Sequence, residues 1–179
     1  MNWKKDKKWS DRFITEIKAA LGVHLIQEAP IEEDQERNTD LMVFSLGAIR
    51  VGCRIRRWGY LLKYPLDITI RSGRPSGQKT ELAKILEGWG DYFFYGFSNE
   101  YEVNLAAWRI LNVDGIRHYL QQRNISTIDN HDGSSEFIPI DSSVIQKQWK
   151  VATYIADDSR EAVRTAVESC LQKRKQSSR

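Results

Sequence analysis

The chain reads as an α/β domain with a mixed central sheet flanked by helices, and three observations predict this. Residues 49–57 alternate strictly, with Ile49, Val51, Cys53 and Ile55 to one side and Arg50, Gly52, Arg54 and Arg56 to the other. That is the period of a half-buried strand. Asp91-Tyr92-Phe93-Phe94-Tyr95-Gly96 is a continuous aromatic run, as expected of a buried strand. Phe13, Ile17, Ala20 and Leu21 recur at helical spacing and give the segment 10–21 one apolar stripe.

The other elements follow in order. Ser10 is placed to cap the first helix and Gly22 to end it, with Glu16 on the flank of the stripe. Val23-His24-Leu25-Ile26-Gln27 is a short strand, and the polar, acidic stretch after it is a loop. Leu41-Met42-Val43-Phe44 is a strand entered at Asp40, and the turn Ser45-Leu46-Gly47 predicts a hairpin between 41–44 and 49–57. A strand over 66–71, a loop over 72–77, a helix over 80–87 and the aromatic strand 91–96 come next. Residues 106–113 predict a strand and 114–121 a helix. Phe137-Ile138-Pro139-Ile140 reads as an edge segment, because Pro139 has no N–H for a ladder. Residues 149–155 carry no decisive pattern, and 160–171 form a last helix. A length of 179 residues with 41% hydrophobic residues suits one domain over 1–179, with basic tails at about 1–9 and 172–179.

Charge is unevenly placed in a chain of formal net charge only +3. Residues 28–40 hold Glu28, Glu32, Glu33, Asp34, Glu36 and Asp40 against Arg37 alone. Residues 50–63 hold Arg50, Arg54, Arg56, Arg57 and Lys63 with no acid. The two cysteines, Cys53 and Cys170, have neither metal-ligand spacing nor a disulfide framework, the usage of a reducing, cytoplasmic compartment. No apolar run approaches membrane-spanning length, so no membrane partner is expected.

Three motifs compete for a role. Gly73-Arg74-Pro75-Ser76-Gly77-Gln78-Lys79-Thr80 imitates a phosphate-binding loop, but its spacing is wrong: three residues separate the glycines, and Gln78 intervenes before Lys79. A weaker expectation survives, in which Arg74, Lys79 and the following helix N-terminus hold one phosphate. His24, His118 and His131 are isolated and receive no role. Trp3 and Trp9 lie among lysines, where stacking on bases or docking on a partner is open. The basic strand is the best signal. Arg50, Arg54 and Arg56 share one face, and arginines so close repel unless anions pair with them. Two partners are open: the acidic segment 28–40, or the phosphates of DNA or RNA. Arginine rather than lysine favours phosphate, because its fork matches phosphate bidentately. Arg57, Lys63, Arg71, Arg74 and Lys79 extend the candidate nucleic-acid surface.

The element order, a helix carrying Glu16, three strands, a helix over 80–87 and a strand over 91–96, resembles the core of the restriction-endonuclease-like, or PD-(D/E)XK, nuclease superfamily. Asn38-Thr39-Asp40-Leu41-Met42-Val43 looks like that superfamily's metal-binding Asp at the start of its second strand. The chain is also similar to phage and prophage proteins of this type, and the resemblance covers about 10–140. It implies metal-dependent phosphodiester hydrolysis with Mg²⁺ or Mn²⁺. Asp40 and Glu16 would be the metal ligands, and Arg54 or Arg56 would sit on the scissile phosphate. The sequence departs from the pattern at the Glu-x-Lys motif, where it reads Gly52-Cys53-Arg54 or Arg54-Ile55-Arg56. Asp67 or Glu81 can stand in for the missing carboxylate if the fold brings either one near. Two alternatives follow from the departure. One is a catalytically inactive relative that binds nucleic acid or a nucleoprotein complex. The other is a phage-type protein-interaction or inhibitor module meeting another protein through charge.

Overall fold

The computed structural model of the chain describes residues 3–28, 41–43, 49–77, 79–122, 126–130 and 133–177. Two short helices open it, α1 (Trp3–Ser10) and α2 (Ile14–Leu25), joined through a 3₁₀ turn at Asp11–Phe13. The predicted stripe is real: Phe13 and Ile17 are buried, and Ala20 and Leu21 pack beside them. Its ends differ from expectation. Ser10 caps nothing, since its hydroxyl donates back to the Lys7 carbonyl. Gly22 is passed over, and the helix continues to Leu25, leaving only β1 (Ile26–Glu28) as strand. The Lys-rich start is thus helical, and Trp9 belongs to the core.

The main sheet has four strands in the order β3 (Val51–Arg56), β5 (Tyr92–Ser98), β6 (Leu105–Asn112), β9 (Lys150–Ile155). β3 runs parallel to β5, and β6 is antiparallel to both β5 and β9, so the sheet is mixed. The predicted hairpin is corrected here. β2 (Leu41–Val43) pairs antiparallel with β1, while β3 pairs in register with β5, Val51 opposite Tyr92 and Arg56 opposite Phe97. A parallel pair needs a long crossover. Here it holds α3 (Trp58–Lys63), β4 (Asp67–Gly73) and α4 (Glu81–Leu86).

A second sheet stacks β4, β8 (Glu136–Asp141) and β7 (Ile128–Asp129) in that order, antiparallel throughout. β8 is therefore its middle strand. Pro139 is tolerated because β7 spans only Phe137 and Glu136, so beyond them β8 has β4 as its one strand neighbour among the described residues. Helices α5 (Val113–Gln121) and α6 (Arg160–Ser177) complete the elements. α6 runs through the expected C-terminal tail, and its Arg174 bridges Asp67 at 2.9 Å and Asp141.

The core has two compartments, divided by the main sheet. On one face Trp9, Phe13 and Ile17 pack on Phe94, Trp108 and Ile110, with Val51 and Ile55 of β3 at the margin. On the other, Phe93, Tyr95 and Phe97 meet Ile68 and Ile70 of β4, Ile138 and Ile140 of β8, and the inner sides of α3 to α6. This division explains the unbroken aromatic run: both faces of β5 are buried, so neither needs a polar register. No helix among the described residues is long and apolar enough to cross a membrane.

Candidate anion-binding site

β3 and β4 are the edge strands of their sheets among the described residues, and a side-chain hydrogen bond joins them. The arginine face of β3 is turned toward β4 and α4 and away from the α2 side. Arg54 crosses the junction. Its Nη1 donates to Thr69 Oγ1 on β4 at 3.3 Å, and its Nη2 donates to both carboxylate oxygens of Glu81 at 2.7 Å each. The Arg54 side chain is only 10% exposed, against 29% for Glu81. Thr69 Oγ1 also shares a 3.1 Å hydrogen bond with the buried Tyr95 hydroxyl, whose ionisation burial suppresses.

Glu81 is the first residue of α4, and Thr80 caps that helix by accepting from the Ala83 N–H. The Glu81 carboxylate also accepts the backbone N–H of Arg71 at 3.0 Å, which pins α4 to β4. It therefore serves the Arg54 guanidinium and the Arg71 backbone together. Burial lowers the pKa of Arg71 most, the nearby charges of Arg54, Arg74 and Arg56 lower it further, and Glu81 opposes them. Arg54, Arg56 and Arg71 thus act on one another here, with Glu81 as the carboxylate bonded to Arg54. The β4 strand carries a bulge between Arg71 and Gly73, where two steps on β4 meet one on β8. A bulge re-aims the side chains that follow it, and here the next is Arg74.

Arg56 makes no ion pair with a described carboxylate; its guanidinium lies over the Tyr60 ring of α3, 3.8 Å from the centroid. Lys63 lies over Tyr64 at 5.1 Å. The other cations expected from the sequence are placed elsewhere. Arg50 lies over the exposed Trp89, 5.6 Å from the ring centre, and its N–H is held by Asp91 at 2.6 Å. Arg57 pairs with Glu102 and lies over Trp9, whose Nε1 donates to the same Glu102 at 2.7 Å. Arg57 holds the Glu102 carboxyl below the usual glutamate range. Trp9 is thereby used inside the chain. Lys79 pairs with Glu87, so the phosphate-loop imitation does not bring it to Arg74 by any described contact.

The residues expected to bind metal lie away from this cluster or outside the described chain. Both oxygens of Glu16 accept from the Leu105 N–H, at 3.1 and 3.0 Å, tying α2 to the start of β6. Burial raises the Glu16 pKa, and that hydrogen bond partly offsets the rise. Asp40 lies outside the described residues. Of the two substitute carboxylates, Asp67 is taken by Arg174 and Glu81 alone reaches the arginine strand. Among the described residues no three His, Cys, Asp or Glu side chains gather as a metal site.

Sequence reasoning found the arginines of β3 but missed Thr69, Tyr95 and Tyr60 around them. Only the pre-helical Thr80 followed by Glu81 signalled a carboxylate at a fixed helix start. Comparisons with protein-family models, with curated proteins and with solved structures give no match. The class assignment therefore rests on the fold itself, an α/β protein with a mixed four-stranded sheet and flanking helices.

Proposed function

We propose that this protein binds the phosphate backbone of DNA or RNA at the junction of β3 and β4. The observation that supports this reading is the local excess of cations on β3 and β4: Arg54, Arg56 and Arg71 act on one another, and of the three only Arg54 has its side chain bonded to a described carboxylate, Glu81. Arg54 is the fixed member, held by Glu81 and Thr69. Arg56 and Arg71 are the binding members, because neither has a described carboxylate bonded to its side chain. Guanidinium forks held on strands meet phosphate oxygens bidentately with little loss of side-chain freedom. No hydrolytic step is assigned to these residues: arginine keeps its proton at neutral pH and is a poor general base.

The order α2, β1, β2, β3 and then, after α3 and β4, α4 and β5 parallel to β3 supports the restriction-endonuclease-like resemblance as the finer description of the fold, with β1 and β2 paired apart from the main sheet. On this reading the chain is a relative whose Glu-x-Lys position has been given over to arginine, and whose site grips phosphate. Fluorescence anisotropy with labelled single- and double-stranded DNA and RNA, across a salt series, tests it. Binding that falls steeply with salt and weakens in Arg56→Ala/Arg71→Ala is the expected result. The same probes with Mg²⁺, Mn²⁺ or EDTA, run on a gel, test hydrolysis. Cleavage lost on Asp40→Ala would add the metal-dependent activity that the resemblance implies. Failure of the wild type to bind any probe at low salt would overturn the proposal and leave protein interaction as the use of the cluster.

A further inference from the structure

The arginine cluster borders an aromatic strip. Arg56 belongs to both: its charge bears on Arg71, and its guanidinium lies over Tyr60. Tyr60 and Tyr64 are four residues apart, joined by the bond from the Tyr64 N–H to the Tyr60 carbonyl at 2.8 Å. Tyr60 lies on α3, and Tyr64 follows it directly as the cap at its C-terminal end, with φ −136° and ψ 58°. Each tyrosine is 42% exposed, and a cation lies over each ring, Arg56 over Tyr60 and Lys63 over Tyr64. Leu61, between them, is buried in the core and anchors α3. Tyr60 is thus held on a fixed element, with Tyr64 at its end.

We infer that the ligand of this site is a single-stranded nucleic acid, with unstacked bases lying against Tyr60 and Tyr64 while the phosphates meet Arg56, Arg71 and Lys63. This rests on the phosphate-binding reading and narrows it. Bases within a duplex stack on each other and present only their edges in the grooves, so exposed tyrosine rings have nothing to stack against there. An unpaired strand presents a base face about every nucleotide, and every base has one, so aromatic platforms beside cations bind it without sequence preference. Arg56 adds a second planar group, since guanidinium itself stacks on bases. The main rival is that the tyrosines merely cover the stems of Arg56 and Lys63. In that case removing a ring changes single- and double-strand binding alike or not at all.

The test uses the full chain and three labelled probes: an oligothymidylate of about twelve nucleotides, the same strand with abasic sites, and a hairpin duplex of similar charge. Expected results are that the oligothymidylate binds about tenfold or more tighter than the duplex, and that abasic sites remove roughly 5- to 100-fold. Tyr60→Leu with Tyr64→Leu should cost a similar factor on the single strand and leave the duplex unmoved, while Tyr60→Phe keeps wild-type binding. The abasic probe needs no variant and so stands even if the double variant folds poorly. Equal affinity for all three probes, unchanged by the tyrosine variants but weakened by Arg56→Ala/Arg71→Ala, would overturn the single-strand inference and leave phosphate binding intact. Loss of all binding by the wild type would sink both.

Discussion

Replacing Glu81 by glutamine changes one charge in the middle of the arginine cluster, and it should move stability and binding in opposite directions. In the wild type the carboxylate accepts two 2.7 Å bonds from Arg54 and one 3.0 Å bond from the Arg71 N–H. Glutamine keeps the shape and one acceptor oxygen but leaves the Arg54 guanidinium, 10% exposed, without its counter-charge. Breaking a buried pair costs about 3–5 kcal/mol. Glu81 is 29% exposed, so water screens part of that loss and about 1–3 kcal/mol is expected. Binding has the other sign. A phosphate about 7 Å from the carboxylate is repelled by roughly 2 kcal/mol at an effective dielectric of about 20, and physiological salt about halves it. Glu81→Gln should therefore bind an oligonucleotide about fivefold tighter while unfolding at a lower urea midpoint. Urea denaturation and anisotropy on one preparation read both. A variant that is folded at the assay temperature but binds more weakly would refute the role of Glu81 as counter-ion. An unchanged urea midpoint would refute the ion pair.

Other outcomes follow from the same structure. Arg56→Ala with Arg71→Ala should reduce the salt slope, log K against log salt, by about 0.7 per lost contact on single strands or about 0.9 on duplex; an unchanged slope in a salt titration would remove both residues from the interface. Glu16→Gln tests the half-buried carboxyl that accepts the Leu105 N–H. Its folded pKa is raised, so the stability it contributes is present below the ordinary glutamate pKa and is lost as pH rises through the raised value. Wild type should therefore compare better with Glu16→Gln at about pH 4 than at about pH 7 in urea melts, and a constant or reversed difference counts against burial at this position. Gly115→Ala would drive a methyl group into Trp149, whose Cβ and Cγ lie where an added Cβ would be. A loss of about 1–3 kcal/mol with a changed tryptophan emission is expected, and native stability would show that Trp149 docks elsewhere.

Local patterns in the chain carried much of this fold. Alternation marked 49–57 as a strand and put Val51 and Ile55 on the face that meets α2, because a strand with one polar face must keep its register, although Cys53 of that face is exposed. The aromatic run of β5 and the Phe13–Ile17 stripe were equally legible, since each is a local response to burial. Residues 149–155 were not legible: β9 lies at the sheet edge with both faces partly wet, so burial imposes no clear alternation. Partnership was also beyond local pattern. The turn-like Ser45-Leu46-Gly47 pointed to a hairpin, yet β3 pairs with β5, forty-one positions on in the Val51–Tyr92 register, because strand pairing depends on which faces the whole core buries. The site shows the same division. Arg50, Arg54, Arg56 and Arg57 are neighbours in sequence, but one stacks on Trp89, one on Tyr60, one pairs with Glu102 and one with Glu81. Residue type made these positions candidates for anions. Only the tertiary structure, by bringing Thr69 of β4 and Glu81 of α4 to Arg54, decided which charge is paired with a described carboxylate and which is not, because Coulomb interactions depend on separation in space and on burial, and neither is written in sequence order.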